Sequence, residues 1–197
     1  MLILKLLKKK LNKMAYEKVE NLLWLDMEMS GLDVNKEAII EVACIVTDMN
    51  FRELDTFETV VRQPQSYLDN MDVWNKDTHT KSGLAAKVAS GMDPEMAEAK
   101  LIDLINKHFP HSLTDPKKRP LLAGNSIMQD RLFIDKYFLK LSARLHYRMI
   151  DVSSWKVIVN NKFNIEYKKQ NAHRALDDIR ESIGELRFYL DKINSKK

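Results

Sequence analysis

Three apolar runs with strand-like alternation follow one another in the first third of the chain. They cover residues 22–29, 38–48 and 52–62, and the short segments 31–36 and 49–51 separate them. Short connections between strand-like runs are typical of antiparallel strands joined as a meander. The pattern therefore predicts a three-stranded antiparallel sheet at the start of the fold.

Beyond residue 62 the apolar positions recur with a helical period. Helical spacing covers residues 67–78, 82–89, 95–108, 126–141 and 171–193, and the apolar segments PLLAG and RMIDV between the later helices predict two short buried strands. Three consecutive strands, then helices, then alternating strands and helices are typical of an α/β domain. We predict a mixed sheet flanked by helices, in which short parallel strands extend the antiparallel meander.

Two acidic side chains interrupt the first apolar run, which contains WLDMEMSG at residues 24–31. Because side chains alternate along a strand, Asp26 and Glu28 should share one face, with their backbones roughly 7 Å apart. Burying a carboxylate is costly unless it is neutralised or paired. We therefore expect a cation opposite the two acids, either a Lys or Arg side chain or a divalent metal ion.

A third acidic candidate lies in the fourth predicted helix. Asp130 falls on the same face as Phe133 and Tyr137, three and seven positions later, so it should face the core. Asn125 or Ser126 could cap the start of this helix. The alternative for Asp130 is an ion pair with a neighbouring basic side chain at the edge of the core.

The last predicted helix carries an acidic candidate and a histidine close to its start. Its apolar stripe consists of Leu176, Ile179, Ile183, Leu186 and Leu190. At about 100° per residue, Asp178 lies about 110° from the centre of that stripe and Asp177 about 150°, so Asp178 is the better candidate to face inward. His173 would lie about 140° from Asp178 in one continuous helix. To share a target with Asp178, His173 must therefore precede the helix, which Asn171 as a helix cap permits.

Composition indicates one globular domain preceded by a basic segment. A chain of 197 residues with 45% hydrophobic content can bury one core. The first residues, MLILKLLKKKLNKM, contain five lysines and no acid, and without those five charges the formal net charge of +4 falls to about −1. The remainder therefore lacks a track for a long nucleic acid. We predict an N-terminal extension over residues 1–19, disordered or produced by a start upstream of Met14, and a single domain over residues 20–197.

Cysteine content and hydropathy predict a cytoplasmic protein with no membrane partner. Cys44 is the only cysteine in the chain, so no internal disulfide can form, which suits a reducing compartment. The N-terminal segment has its apolar residues before its lysines and lacks a small-residue cleavage site, unlike a secretory signal. No apolar run approaches the length of a transmembrane helix. An amphipathic targeting helix is the alternative for the N-terminal segment.

The acidic candidates and the histidine have the chemistry of a metal-dependent phosphodiester hydrolase. The set consists of Asp26, Glu28, Asp130 and Asp178, together with His173. Carboxylates are hard oxygen ligands, which suit Mg²⁺ or Mn²⁺ rather than Zn²⁺. Two such ions about 4 Å apart can stabilise the attacking and leaving oxygens of a phosphodiester displacement. In this interpretation, metal ions are the cations expected opposite Asp26 and Glu28.

Several longer stretches resemble the motifs of oligoribonucleases, which belong to the DEDDh group of 3′-to-5′ exonucleases and have a ribonuclease H-like fold. WLDMEMSGLD resembles the first exonuclease motif, GNSIMQDR the second and AHRALDDIRES the third. MDVWNKDTHTKSGL and HYRMIDVS resemble further stretches of this branch. The resemblance implies a homodimeric enzyme that releases 5′-nucleoside monophosphates from the 3′ end of very short single-stranded RNA, especially dinucleotides.

The resemblance, which covers about residues 20–192, also assigns roles to single residues. It implies that the four acids hold two Mg²⁺ or Mn²⁺ ions. His173 would deprotonate the attacking water, a role suited to an imidazole, whose pKa lies near neutral pH. The resemblance implies that Leu32 is a wedge beside the 3′-terminal base and that Trp74 stacks on the same base. Four residues would cap the 5′ phosphate, namely Ser126, Arg148, Ser153 and His79. Tyr147 would form part of the apolar wall. The resemblance also implies that the second subunit of a homodimer would supply part of the 5′-phosphate cap.

Most of these substrate residues have a structural alternative. The alternatives are a core or interface position for Trp74 and Tyr147, a turn cover for Leu32, an ion pair with Asp151 for Arg148, and a helix cap for Ser126 and Ser153.

Two other functions fit the same acidic pattern. A DNA-trimming or proofreading exonuclease shares the D-x-E and H-x₄-D patterns, but it requires a surface for a DNA partner, which the sequence does not display. A catalytically silent RNA-binding scaffold would be favoured by the loss of one of the five catalytic residues, but all five are present. We therefore favour the exoribonuclease.

Overall fold

The computed structural model describes residues 19–168 and 174–194. Three features predicted from the sequence lie outside the described residues, namely the N-terminal extension up to residue 18, Asn171 as a helix cap and His173. No helix among the described residues is long and apolar enough to cross a membrane.

A five-stranded mixed sheet forms the centre of the fold. Its strands are β1 (Asn21–Met29), β2 (Ile39–Asp48), β3 (Glu53–Val60), β4 (Leu122–Gly124) and β5 (Met149–Asp151), in the spatial order β3-β2-β1-β4-β5. The first three strands pair antiparallel, and β4 and β5 add to β1 in parallel. The predicted sheet, an antiparallel meander extended by short parallel strands, is confirmed.

Helices occupy the connections and the C-terminal part of the chain. They are α1 (Gln65–Asp69), α2 (Val73–Lys81), α3 (Ala85–Val88), α4 (Pro94–His108), α5 (Met128–Tyr137), α6 (Leu139–Ser142), α7 (Val152–Phe163) and α8 (Ala175–Asn194), with two short 3₁₀ turns at Pro110–Leu113 and Pro116–Lys118. The prediction of one helix over residues 67–78 is wrong, because α1 ends before Asn70 and α2 begins after Asp72. The Asp72 side chain accepts the N–H of Asn75, and this cap starts the second helix.

The predicted helix over residues 126–141 also divides into two. Phe138, with φ −118° and ψ 63°, interrupts it between α5 and α6. The Glu98 carboxylate accepts the N–H groups of Lys140 and Leu141, at 2.7 and 3.0 Å, and so satisfies the first donors of α6. A side chain on α4 therefore allows a second helix to begin here.

The predicted side-chain cap of α5 is wrong. Ile127 precedes the first helical residue, and no side chain caps the helix. Ser126 instead adopts φ +54°, and its backbone N–H donates to the Asp151 carboxylate at 3.0 Å. The chain between β4 and α5 is thus held by β5 and not by a helix cap.

The two faces of β1 pack against different helices. Leu23, Leu25, Met27 and Met29 belong to a core with α4, α5 and α6. Leu22 and Trp24 belong to a second core with α7 and α8 on the opposite face. Asp26 and Glu28 alternate with the first set, as predicted, so they continue the face that α8 covers.

Candidate active site

Three carboxylates converge where α8 begins against β1. One oxygen each of Asp26, Glu28 and Asp178 lies within 4.8 Å of the other two, and all three residues are half-buried. We call this group the acid cluster. Asp177 lies apart from it, because its side chain is 58% exposed and its Oδ1 is 3.8 Å from Nη1 of Arg180. The geometry therefore agrees with the expectation that Asp178, not Asp177, faces inward.

The electrostatics of the acid cluster favour a bound cation. Burial, followed by the negative charges of Asp178 and Glu41, raises the pKa of Glu28 from 4.5 to about 7. A metal ion in contact with these oxygens would reverse that shift, because an opposite charge favours the ionised carboxylate. Hard oxygen donors gathered at one point match the ligand preference of Mg²⁺ and Mn²⁺. The residues present therefore fit a divalent metal ion.

Asp130 lies beside the acid cluster but outside its 4.8 Å group. Its side chain is buried, and its Oδ1 accepts the backbone N–H of Met27 at 2.9 Å. Burial is the main reason that the pKa of Asp130 is raised, and the charge of Glu28 adds to the effect. The fourth predicted acid is therefore tied to the strand that carries Asp26 and Glu28.

The short length of β4 explains why an acidic side chain reaches the backbone of β1. The strand pairs with β1 only at Leu23 and Trp24. A Cβ at Gly124 would lie 2.8 Å from the Leu25 carbonyl oxygen, so only glycine allows the chain to leave the sheet so close to β1. The pairing of β4 with β1 therefore ends before Met27. The Met27 N–H can then donate to Asp130, which lies on α5, the helix that follows β4.

Leu32 lies on a loop that α5 holds in place. Its side chain is 74% exposed. Nε2 of Gln129 donates to the Leu32 carbonyl at 2.8 Å, and the Tyr137 hydroxyl contacts the carbonyls of Val34 and Glu37 at 3.0 and 2.6 Å. The helix that carries Asp130 therefore also fixes the loop that presents Leu32.

Trp74 and His79 lie on the same helix, α2, but in different surroundings. Trp74 is 64% exposed, so it is not a core aromatic. His79 is buried, and its Nε2 lies 3.0 Å from the carbonyl oxygen of Met29 at the end of β1. The structure thus leaves the Trp74 ring exposed and uses His79 to join α2 to the sheet.

The Asp151 carboxylate connects two of the residues predicted to cap a 5′ phosphate. Its Oδ1 accepts the N–H of Ser126 at 3.0 Å, the N–H of Ser153 at 2.9 Å and the Ser153 hydroxyl at 2.7 Å. The alternative of Ser153 as the cap of a helix is wrong, because Asp151 caps α7. From the sequence, Asp151 is expected only as an ion-pair partner of Arg148, and its role as an acceptor for Ser126 and Ser153 depends on the tertiary fold.

Tyr147 and Arg148 form an exposed group next to β5. The Tyr147 side chain is 76% exposed and stacks on His146 with 4.5 Å between ring centroids. The Arg148 guanidinium lies 5.3 Å from the centre of the Tyr147 ring. We use the name recognition surface for the exposed residues Leu32, Trp74, Tyr147 and Arg148.

Glu41 is a further acid near the site that the sequence analysis missed. It is 2% exposed and lies directly opposite Glu28 in the pairing of β1 with β2. Both of its oxygens contact Arg174, at 2.9 to 3.4 Å. An acid inside the apolar run IIEVACIV is the same kind of signal that singled out Asp26, so the sequence did contain a clue.

Comparison with known proteins gives close relatives along almost the whole chain. The family model described as Exonuclease matches residues 23–186. An oligoribonuclease of Francisella tularensis (strain WY96-3418) is 40% identical over 184 residues, which cover 91% of this chain and 99% of that protein. A mitochondrial oligoribonuclease of Bos taurus is 41% identical over 184 residues, covering 90% of this chain and 75% of that protein.

Solved structures share the fold at low sequence identity. Exonuclease I of E. coli in complex with a dT13 oligonucleotide superposes with a TM-score of 0.64 at 14% identity. The match covers 86% of this chain but only 41% of that protein, so the present chain spans less than half of its length. A moderately thermophilic exonuclease I from Methylocaldum szegediense gives a TM-score of 0.55 at 16% identity. The predicted ribonuclease H-like fold is confirmed.

Proposed function

This chain belongs to the oligoribonucleases, within the exonuclease family, and from that premise we propose that it degrades very short RNA. The enzyme would act from the 3′ end, with dinucleotides as its preferred substrates and 5′-nucleoside monophosphates as its products. The observation that carries the proposal is the convergence of Asp26, Glu28 and Asp178 within 4.8 Å at the edge of α8.

The proposed cofactors are two divalent ions, Mg²⁺ or Mn²⁺, held by the acid cluster together with Asp130. When bound, such ions polarise a phosphodiester and offset the charge on the attacking and leaving oxygens. The raised pKa of Glu28, about 7 in the absence of a cation, supports this assignment. The hydrogen bond from the Met27 N–H to Asp130 supports a fixed orientation for the fourth acid.

We assign His173 the role of general base for the attacking water. An imidazole with a pKa near neutral pH is uncharged for much of the time and can accept a proton. The assignment rests on the match of AHRALDDIRES to the third exonuclease motif, since His173 lies outside the described residues. In the chain it directly precedes Arg174, next to the start of the helix that carries Asp178.

The recognition surface is proposed to hold both ends of a dinucleotide. Leu32 would act as a wedge beside the 3′-terminal base and Trp74 would stack on it, which their exposure supports. Arg148, with Ser126 and Ser153, would hold the 5′ phosphate, and Tyr147 would form part of the apolar wall. The buried contact of His79 with Met29 supports a positioning role for that histidine and not direct contact with the phosphate.

Length selection would follow from holding both ends of the substrate at once. Long RNA needs several phosphate contacts, whereas this chain without its N-terminal lysines has a formal charge of about −1. A longer RNA would have to displace the contacts at its 5′ end. We further propose a homodimer in which the second subunit completes the 5′ cap, acting in the cytoplasm, and the exposed ring of Tyr147 supports such a contact.

The experiment that tests the proposal is the cleavage rate of 5′-labelled RNA against length, from about two to about twenty residues. It is run with Mn²⁺ and with a chelator, and a DNA dinucleotide serves as the matched control. We expect a metal-dependent rate that is highest for the RNA dinucleotide. Equal rates at all lengths would remove the length selection, a preference for DNA would favour a DNA-trimming exonuclease, and no cleavage at any length would favour a silent scaffold.

A further inference from the structure

A buried carboxylate on β2 holds the first residues of α8. Oε1 of Glu41 accepts from Nη2 and Nε of Arg174, at 2.9 and 3.2 Å. Oε2 accepts from the same Nε at 3.4 Å and from the backbone N–H of Ala175 at 3.2 Å. The Glu41 side chain is only 3% exposed, whereas that of Arg174 is 33% exposed. Bidentate contact with a guanidinium fixes orientation as well as distance. One side chain therefore fixes both the Arg174 side chain and the first backbone donor of the helix.

The Glu41–Arg174 contact is linked to three residues of the proposed active site, namely Glu28, Asp178 and His173. Glu41 faces Glu28 across the β1–β2 pair. The Arg174 carbonyl accepts the N–H of Asp178 at 3.0 Å, which closes the turn that leads to the acid cluster. His173 precedes Arg174 by one peptide bond, so the position of Arg174 limits where the proposed base can lie.

A second Glu–Arg pair links α8 to the meander and serves as a reference. Arg180 contacts Glu53 of β3, with Nε 3.2 Å from Oε1 and Nη2 3.4 Å from Oε2. The two side chains are 46% and 40% exposed. Arg180 also lies 3.8 Å from the exposed Asp177, but the first backbone donor of the helix, the Ala175 N–H, is held by Glu41 and not by this pair. The chemistry of the two pairs is the same, and they differ in burial and in distance along the helix from the acid cluster.

We infer that Glu41 and Arg174 are positioning residues for the proposed reaction, because they set where α8 begins and so place Asp178 against Asp26 and Glu28. The inference rests on the proposed function and deepens it. The pair also holds Glu41, another acid on this face of the sheet, in an ion pair with the Arg174 guanidinium. Glu41 therefore stays outside the acid cluster. Neither residue is assigned a contact with the substrate.

The test compares full-length variants of the two pairs. Arg174→Met removes the guanidinium, Arg174→Lys keeps the charge but not the bidentate contact, and Arg180→Met is the matched control in the exposed pair. Glu41→Gln removes the buried negative charge itself. If Glu41→Gln does not fold, the Arg174 variants alone test the inference. For each folded variant we measure kcat and KM on an RNA dinucleotide below the melting temperature, and the increase in melting temperature that saturating Mn²⁺ produces.

For Arg174→Met we expect kcat to fall by about 10- to 100-fold, the range found when groups that orient metal ligands are removed. KM should stay within about twofold, because Arg174 is not assigned a contact with the substrate, and the stabilisation by Mn²⁺ should shrink. Arg174→Lys should recover part of the loss, and Arg180→Met should resemble the wild type.

A purely structural role would give a different result. Arg174→Met would then have a lower melting temperature, but kcat within about twofold of wild type and an undiminished gain from Mn²⁺, and this outcome would overturn the inference. A wild-type protein that is inactive on RNA would instead reject the proposed function. In that case the Mn²⁺ stabilisation of Arg174→Met relative to wild type still decides the positioning role.

Discussion

The acid cluster and the recognition surface, both assigned to the proposed active site, are built in different ways. The acids of the cluster project from β1 and from the first turn of α8, two elements that also contribute buried side chains to the core. The residues of the recognition surface project from a loop, from α2 and from the segment before β5, and their side chains are largely exposed. Rigid elements thus carry the acids, whereas surface segments carry the proposed substrate contacts.

Because of this difference, the acid cluster and the recognition surface should contribute to different steps of the proposed reaction, catalysis and substrate binding. Carboxylates forced together in a partly buried place repel one another, and that repulsion is relieved when one of them binds a proton or when a cation binds between them. Exposed aromatic rings carry no such penalty and gain free energy when a base stacks on them. Changes in the acid cluster should therefore alter the rate of the chemical step, and changes in the recognition surface should alter affinity.

The largest expected effect distinguishes two neighbouring acids on α8. Asp178→Asn should lower kcat by about 100-fold or more, because a bound metal ion contributes several kcal/mol to the transition state. Asp177→Asn, whose side chain is 58% exposed, is the matched control and should stay within about twofold of wild type. Steady-state cleavage of an RNA dinucleotide measures both. Equal losses in the two variants would contradict the assignment of Asp178.

The next effect tests the recognition surface through Trp74. Trp74→Ala should raise KM for a dinucleotide with little change in kcat, since stacking of one base on an aromatic ring is worth about 1–3 kcal/mol. That range corresponds to an increase of roughly 5- to 150-fold. Val73→Ala, at a position that is 87% exposed on the same helix, provides the control. A lower kcat at unchanged KM would place Trp74 in the chemical step instead.

A smaller effect concerns stability and pH in the metal-free protein. The pKa of Glu28 is raised from 4.5 to about 7, so the folded protein binds a proton that the unfolded chain releases at lower pH. The stabilisation is complete below pH 4.5 and is lost as the pH rises through about 7. We expect a decrease of about 1–2 kcal/mol in the free energy of unfolding over this window, after allowance for solvent screening.

Thermal melting in chelator at pH 5 and pH 8 measures this loss, and Glu28→Gln serves as the control without a titrating group. Added Mn²⁺ should restore stability at pH 8 more than at pH 5, because the ion favours the ionised carboxylates. A melting temperature for the wild type that follows the same pH profile as Glu28→Gln would contradict the assignment.

The smallest effect tests the link between α5 and the Leu32 loop. Gln129→Ala removes the donor to the Leu32 carbonyl, while the Tyr137 contacts with the same loop remain. A hydrogen bond of this kind contributes about 0.5–1.5 kcal/mol, so KM should rise by roughly two- to tenfold. Gln65→Ala, which removes an exposed contact with Asp69, is the control. An unchanged KM would show that the remaining contacts of Tyr137 and Lys136 fix the loop without Gln129.

Local periodicity was sufficient to predict the parts of the site that depend on one element. Alternation along β1 placed Asp26 and Glu28 on the face opposite Leu25, and the apolar stripe of the last helix favoured Asp178 over Asp177. Both predictions use only the geometry of a single strand or helix, which the neighbouring residues determine. The mixed sheet could be predicted for the same reason, since the order of short connections limits how strands pair.

Contacts between distant segments could not be predicted in this way. Glu41 and Arg174 are 133 positions apart in the sequence, and no local pattern in either segment predicts the contact between them. The alternative of Ser126 as a helix cap was wrong for the same reason, because Asp151 of another strand accepts the Ser126 backbone N–H where a helix cap was expected. The break at Phe138 likewise depends on Glu98 of a different helix.

The hydrogen bond from Met27 to Asp130 has a consequence for how the activity would be lost in evolution. The Asp130 carboxylate accepts a hydrogen bond from the backbone of β1. Selection for folding alone would therefore retain an acceptor at this position in a descendant without catalytic activity. Glu28 has no such protection, because burial without a cation opposes its ionisation. Replacement of Glu28 in a related sequence is therefore an earlier sign of decayed activity than replacement of Asp130.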